Sequence, residues 1–346
     1  MKSDLEAALS EKNQQILDAM ENARQLIRDN DSFVISTHVR PDSDAIGSVL
    51  GLARGLRQLR KDVLVVSQDG VPGTCKYLPD VDTIVTGTDR TDFDVAIICD
   101  ANDLSRIGKS AEVLKRAKSL FVLDHHNMES KSINHISEDG FSESVYVVDD
   151  TMAASAELVW EFMEQIGVEI DPEMARQLMS GLVGDTGAFK FSNVKASTFA
   201  AAAYLTASGA SPAEAAREIY ENRPPKSARL LGVALMNAKY ELDGKVALAH
   251  IRQEDFERYD ASDSDTDGIV NQLIATKGVE SAFLFRQFEP GNVRVSLRSR
   301  GGLDVNCIAM KFGGGGHAAA SGCTIEMDPE SAEKALLVEV LGCMAS

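Results

Sequence analysis

Positive charge is scarce in this chain. Its 346 residues hold 35 Lys and Arg against 53 Asp and Glu, a formal net charge of -18 at pH 7. Duplex or long single-stranded nucleic acid is held by a basic stripe, so a long nucleic acid is excluded as the expected partner. A small anion in one local cationic pocket is not excluded, and acidic residues gathered round metal ions add to the negative count without repelling a substrate once the ions are bound. Cysteine is also sparse: Cys75, Cys99, Cys307, Cys323 and Cys343 form no CxxC pair and no zinc spacing, which points to free thiols in a reducing compartment. No apolar run reaches membrane-spanning length. The start, MKSDLEAALSEKNQ, is charged and lacks the apolar core of a signal peptide, so the expectation is a cytoplasmic protein without a membrane partner. No internal repeat is present, and the sole low-complexity stretch is Gly313–Gly316. No nucleophile elbow is found either, so a covalent intermediate is not expected.

What is present is an ordinary globular composition, 44% hydrophobic and 25% charged, long enough for about two domains at roughly 100–200 residues each. Leu5–Arg28 places Ile16, Met20, Ala23 and Ile27 at helical spacing. Short β-branched runs follow at Ser32–Thr37, Val63–Ser67, Val95–Asp100 and Leu120–Asp124, each almost continuously apolar, as in strands buried on both faces. Helical stretches such as Ala45–Leu59 and Ser110–Lys118 separate them, which predicts βαβ units and a parallel sheet. Helical patterns from Ala153 to about Gly209 complete a first domain over 1–222. The Pro pair in Glu221–Ser227 predicts a stiff linker over 223–228. Strands at Lys245–Ile251, Ser281–Phe288 and Val293–Ser299 make a second, smaller α/β domain over 229–346.

Four clusters carry chemistry. His38, Asp42 and Asp44 follow directly on the first strand, in HVRPDSDAIGS. Ligands of open parallel sheets bind beyond the carboxyl ends of the strands. Carboxylates two apart in a loop can address two neighbouring ions, and His supplies a neutral nitrogen. A competing reading is a polar loop with Asp44 capping the next helix. Asp100 ends the strand VAIICD; Asp124, His125 and His126 end LFVLD; Asp185 lies between glycines in GLVGDTG. Alone, Asp100 could be a strand-end cap, His125 and His126 solvated loop histidines, and Asp185 a turn residue. Together they would repel one another strongly unless divalent cations relieved the repulsion, which makes a metal site the expectation. Farther on, Ser296, Arg298 and Arg300 alternate along one strand face in VRVSLRSRGG, and FGGGGHAAASG offers Gly314, Gly315, Gly316 and His317. Glycines allow close backbone approach and aim N–H groups at an anion, so a phosphate or nucleotide contact is expected there.

HxxPDxD, an Asp ending a strand, DHH and GDTG, in that order, resemble the DHH phosphoesterase superfamily. SLRS, GGGGHAAASG and TDGIVNQLIATKGVESAFLFRQ resemble its DHH-associated C-terminal domain. Within the superfamily the resemblance is to nanoRNA hydrolases that are also 3'-phosphoadenosine-5'-phosphate (pAp) phosphatases. It implies a parallel-sheet α/β catalytic domain, a smaller α/β domain and an active site in the cleft between them. It implies two manganese ions, for which magnesium or another divalent ion could substitute. His38, Asp42 and Asp100 would hold one ion and Asp44, Asp100, His125 and Asp185 the other, with Asp100 bridging. His126 would act at the scissile phosphate, Asp124 would orient a histidine, and Arg298 and His317 would grip the substrate's other phosphate or its base. Short oligonucleotides or nucleotides are the implied partners, and a homodimer is admitted. Two alternatives stand beside hydrolysis of nanoRNA and pAp: a cyclic di-AMP or linear pApA phosphodiesterase, and a nucleotide-sensing module with an inactive metal site.

Overall fold

The computed structural model describes residues 14–126 and 140–344. The chain divides into two compact units, Met1–Asn222 and Arg223–Ser346.

The first unit begins with helix α1 (Gln14–Asp29), whose Met20, Ala23, Leu26 and Ile27 are buried; the predicted start at Leu5 lies outside the described residues. Strand β1 (Ser32–Ser36), helix α2 (Ser43–Gln58), β2 (Asp62–Val66), β3 (Ile84–Val85) and β4 (Val95–Cys99) follow. Where a helix over Ser110–Lys118 is expected, a 3-10 turn (Leu104–Ser110) leads into the short α3 (Ala111–Leu114). Gly108 at φ 63° breaks the 3-10 segment ahead of the expected helix, and α3 itself stops at Leu114. Then come β5 (Ser119–Asp124), β6 (Glu143–Val148), α4 (Ser155–Gln165), α5 (Pro172–Asp185), α6 (Ala196–Ala207) and α7 (Pro212–Ala216), the last running into a π-helical turn at Arg217–Glu221.

The six strands form one parallel sheet in the order β3-β2-β1-β4-β5-β6. Strands β4 and β5 are buried along their whole length. Successive residues face opposite sides: Phe33, Ile35, Ile97 and Phe121 join a core under α1, α2, α4 and α5, while Val34, Ala96, Ile98 and Val122 join one with Leu104, Ile107 and Leu114. The strand order reverses at β1 and β4, and the crevice beyond their carboxyl ends is where open α/β sheets bind ligands. Helices α2 and α5 cross with almost no space between their backbones. A Cβ on Gly47 would fall 2.4 Å from the Gln177 carbonyl oxygen, and one on Gly181 2.6 Å from Asp44 Oδ1. Glycine at these crossings lets the end of α5 approach the start of α2.

The second unit opens with α8 (Pro225–Met236), so the proline pair starts a helix, with Pro225 in its first turn. The fixed φ of proline suits that position, and its missing N–H is not needed there. Strands β7 (Lys239–Glu241) and β8 (Val246–Ile251), helices α9 (Gln253–Tyr259) and α10 (Ile269–Ile274), strands β9 (Ser281–Glu289) and β10 (Asn292–Ser299), helix α11 (Val305–Lys311), strands β11 (Gly315–His317) and β12 (Ala320–Ile325) and helix α12 (Pro329–Met344) complete it. Its sheet is mixed, ordered β11-β12-β10-β9-β8-β7, with β8 and β9 parallel and the other pairs antiparallel.

Candidate metal centre

The parallel sheet delivers three of the four clusters to one rim: His38 just beyond β1, Asp100 just beyond β4, and Asp124 to His126 at the end of β5. Asp185 arrives as the last residue of α5. Asp100 itself takes a left-handed conformation at φ 60°, a region costly for most residues but tolerated by Asp.

Asp42 and Asp44 have different surroundings. Asp42 is the N-cap of α2, with Oδ1 accepting from the N–H groups of Asp44 and Ala45, both at 3.0 Å. The capping role considered for Asp44 therefore belongs to Asp42. Asp44 is fully buried and reaches the first turn of α4: its Oδ2 accepts from Ser155 N at 2.6 Å and its Oδ1 from Ala156 N at 2.9 Å. The Ser155 hydroxyl donates to Asp100 Oδ1 at 3.0 Å. One helix start thus holds two carboxylates, Asp44 through backbone donors that a helix leaves unpaired and Asp100 through the Ser155 hydroxyl. Ser155 carries no recognisable signal in AASAEL, and its role follows from tertiary placement alone.

Both outer histidines are oriented in the same way. His38 Nδ1 donates to the Val39 carbonyl at 2.9 Å, and His125 Nδ1 to that of Met152 at 3.4 Å. A carbonyl only accepts, so the proton sits on Nδ1 and Nε2 faces the carboxylates. His38 Nε2 lies 3.3 Å from Asp100 Oδ2. His125 Nε2 lies 3.1 Å from Asp185 Oδ2, 3.5 Å from Asp100 Oδ1 and 3.9 Å from Asp44 Oδ2. His126 turns the other way: its Nδ1 is 2.7 Å from Asp124 Oδ1 and 3.7 Å from Asp100 Oδ1. Asp124 is fully buried, and its Oδ2 has no hydrogen-bond partner among the described residues.

The electrostatics are those of crowded like charges. Burial first, then the nearby Asp185, pushes the Asp44 carboxyl up to about 7. Burial, Asp44 and Asp42 hold Asp100 well above the usual carboxylate range. For His125, burial disfavours the charged form, but Asp185, Asp100 and Asp44 outweigh it and raise its pKa to about 10. Three ligand-type groups result: His38 with Asp42 and Asp100, Asp44 with His125 and Asp185, and Asp100 with His125 and His126, each with its atoms inside 4.8 Å. Asp100 belongs to two of them and lies 3.5 Å from His125 in the third. Imidazole nitrogens set among carboxylate oxygens make a donor set that suits a divalent transition ion.

In the second unit, half-buried Arg298 donates through Nε to Asn271 Oδ1 at 3.0 Å and through Nη1 to the Leu297 carbonyl at 2.9 Å. No carboxylate pairs with it among the described residues. Ser296 Oγ is already engaged, accepting from Arg286 Nη2 at 3.1 Å, and Arg300 points at the Ile274 carbonyl. Gly315 and Gly316 are paired with β12, and Cβ atoms on Gly314 and Gly316 would fall 2.2 Å and 2.5 Å from the carbonyl oxygens of Gly322 and Ala320. At those two positions the missing side chain serves strand packing. The backbone of His317 pairs with Ala320, and Ala320 with Arg298, so the two positions share one row of the sheet; the His317 side chain lies outside the described residues.

No helix among the described residues is long and apolar enough to cross a membrane. Residues 32–182 match the DHH family, N-terminal domain, and residues 243–345 match the DHHA1 domain. The bifunctional oligoribonuclease and PAP phosphatase NrnA of Thermus thermophilus is 31% identical over 88% of this chain and 88% of its own length. The protein of the same name from Bacillus subtilis is 28% identical over 85% of this chain and 90% of its own. An exopolyphosphatase-related protein from Bacteroides fragilis superposes with a TM-score of 0.85 at 26% identity, covering 94% of this chain and 96% of its own. Likeness along both units, and the DHH and DHHA1 matches in succession, place the chain in the DHH family of phosphoesterases.

Proposed function

We propose that this protein is a two-metal phosphoesterase that hydrolyses short oligoribonucleotides and pAp. The observation that carries the proposal is the meeting of His38, Asp42 and Asp100 with Asp44, His125 and Asp185 around a shared Asp100 at one sheet edge. The substrate class rests on NrnA relatives similar along both units. Manganese is the proposed ion, because mixed imidazole and carboxylate ligation suits it better than calcium, whose ligands are all oxygen. The first group would hold one ion and the second the other, with Asp100 shared. Two ions held by these residues would supply a bound water of lowered pKa and charge to neutralise phosphoryl oxygens.

The protein's own groups supply the rest. Asp124 accepts a hydrogen bond from His126 Nδ1 and so fixes the ring; His126 is proposed to stabilise charge on the scissile phosphate. Ser155 and Ala156 hold the Asp44 carboxylate rigidly through backbone donors. Arg298, with no carboxylate partner among the described residues, is the proposed contact for a second anionic group or base of the substrate, and Gly314 to His317 are proposed neighbours in that contact. The net charge of -18 disfavours long strands.

One turnover panel tests this reading: pAp, linear pApA, cyclic di-AMP, oligoribonucleotides of about two to five residues and a strand of about twenty, at two salt concentrations. The expected result is high kcat/KM on pAp and the shortest chains, a shallow salt slope, and complete loss in chelator that manganese restores. Preference for cyclic di-AMP would move the assignment to the phosphodiesterase alternative. Absence of turnover on every substrate with two ions bound would favour a nucleotide sensor, and equal or rising efficiency on the long strand would overturn the short-substrate reading.

A further inference from the structure

Helix α5 ends at Asp185, and the carbonyls of a helix's last turn have no helical N–H partner. Asp185 is also a negative side chain at the negative end of the helix dipole, next to other carboxylates. Something must hold it there. Asn193, eight residues on, folds back and donates Nδ2 to the Asp185 carbonyl at 3.0 Å. The same nitrogen donates to the Ala153 carbonyl, also at 3.0 Å. Ala153 stands two residues before Ser155, whose N–H holds Asp44 and whose hydroxyl holds Asp100. One amide group therefore ties the main chain under Asp185 to the turn that positions Asp44 and Asp100. Its Oδ1 is buried without a hydrogen-bond partner among the described residues, so the donor end alone makes the connection. Neighbouring contacts support the same turn without touching Asp185: Glu157 Oε2 accepts from Ala153 N at 3.1 Å, and Lys195 Nζ donates to the Thr151 carbonyl at 2.6 Å.

We infer that Asn193 is a positioning residue that sets the separation of Asp185 from Asp44, and so the affinity of the ion those two share with His125. The inference rests on the two-metal reading above. Partners that orient a metal's ligands alter its affinity by about 10- to 100-fold when removed. Asn193 acts through the main chain of a ligand, so the lower end of that range applies. Replacing it with Asp keeps the shape but sets a carboxylate oxygen against two carbonyl oxygens, which is worse than removing the group.

The experiment strips full-length protein of metal, titrates it with manganese chloride against a competing fluorescent chelator, and records the thermal midpoint in chelator. In wild type two binding steps are expected. Asn193→Ala should weaken one step by about 10-fold and leave the other unchanged. Asn193→Asp should weaken the same step further, and Asn193→Ser, which keeps one donor, should weaken it less. Lys195→Met should alter neither step, and kcat of Asn193→Ala should return toward wild type at saturating manganese. Unchanged affinities in folded Asn193→Ala overturn the inference. So does an equal loss in Asn193→Ala and Lys195→Met, which would mean general loosening of the turn. If the Ala variant does not fold, the Ser variant decides by the same criteria. A wild type without two manganese steps overturns the two-metal reading itself, and that result is separate from any difference between variants.

Discussion

Both units pair opposite charges at their surfaces, as Arg54 does with Asp80 and Asp171, but the first also crowds like charges together at one sheet edge. Around the first sheet, Asp44 and Asp100 are buried together, with Asp185 and the Nε2 atoms of His38 and His125 nearby, and burial plus mutual repulsion raises both buried carboxyl groups. In the second unit, opposite charges are paired off. Asp263 takes Arg286 at 2.8 Å and Arg294 at 2.7 Å, and Glu333 takes Lys239 at 2.9 Å together with His250. Arg298 stands apart from these pairs. A fold does not gather like charges in its interior for stability, since each costs free energy until a counter-charge arrives. The crowded group in the first unit is therefore the proposed cation site, and Arg298, half-buried and without a carboxylate pair among the described residues, is the proposed anion contact in the second.

This contrast can be broken most severely at Asp100, the carboxylate common to both proposed ion sites. Asp100→Asn should remove several kcal/mol of transition-state stabilisation, hence roughly a thousandfold or more in kcat/KM. Manganese content should fall by metal analysis, while the thermal midpoint in chelator should hold or rise, because a buried repulsive charge is gone. Both ions retained with near-normal rates would refute the shared-ligand assignment. Next in size is His126→Ala, for which a loss of about 10²–10³-fold in kcat is expected, as for a removed electrostatic donor. Its metal content should match wild type, and reduced metal content would make His126 a ligand instead.

Arg298→Ala sharpens the other side. It should lower kcat/KM by about 10- to 150-fold, the equivalent of about 1.5–3 kcal/mol for a hydrogen bond to a charged group, without changing bound metal. A variant with normal kcat/KM on pAp and pApA would remove Arg298 from substrate recognition. The smallest effect concerns the paired charges. Burial works against the ionised Glu333, but Lys239 and His250 outweigh it and hold its pKa below 4.5. A depressed carboxyl adds stability above its unfolded pKa and loses it as pH falls through the folded value. The thermal midpoint of Glu333→Gln should lie below wild type at pH 7, and the gap should close as pH is lowered past 4.5. A gap independent of pH would show that packing, not charge pairing, is what Glu333 contributes.

Much of the sheet was legible because a strand buried on both faces must be apolar throughout. Ser32–Thr37, Val95–Asp100 and Leu120–Asp124 stand out for that reason, and so do the polar residues that end them. Strand β6, with Val145 and Val147 alone buried, lacks that continuous signal, while β3 and β7, at two and three residues, are too short to show a period. The strand pairing of Gly315 and Gly316 with Gly322 and Ser321 is not legible in the run itself, because glycine permits several backbone geometries and only the tertiary structure chooses among them. The proline pair predicts a stiff connection over 223–228, whereas Pro225 begins a helix, a position that proline's fixed φ suits equally well.

From residue types and order alone come the alternation of strands and helices, the placing of His38, Asp100 and Asp124 to His126 beyond strand ends, and the chemistry those side chains can perform. Which atoms meet was decided in three dimensions. Ser155 and Ala156 hold Asp44 from 111 and 112 residues away, Asn193 reaches Ala153 across 40, and the glycine crossing of α2 and α5 brings Asp185 to Asp44. Local sequence reports propensity and period. Distances between distant segments depend on how closely two backbones can pack, and that is settled only when the whole unit folds.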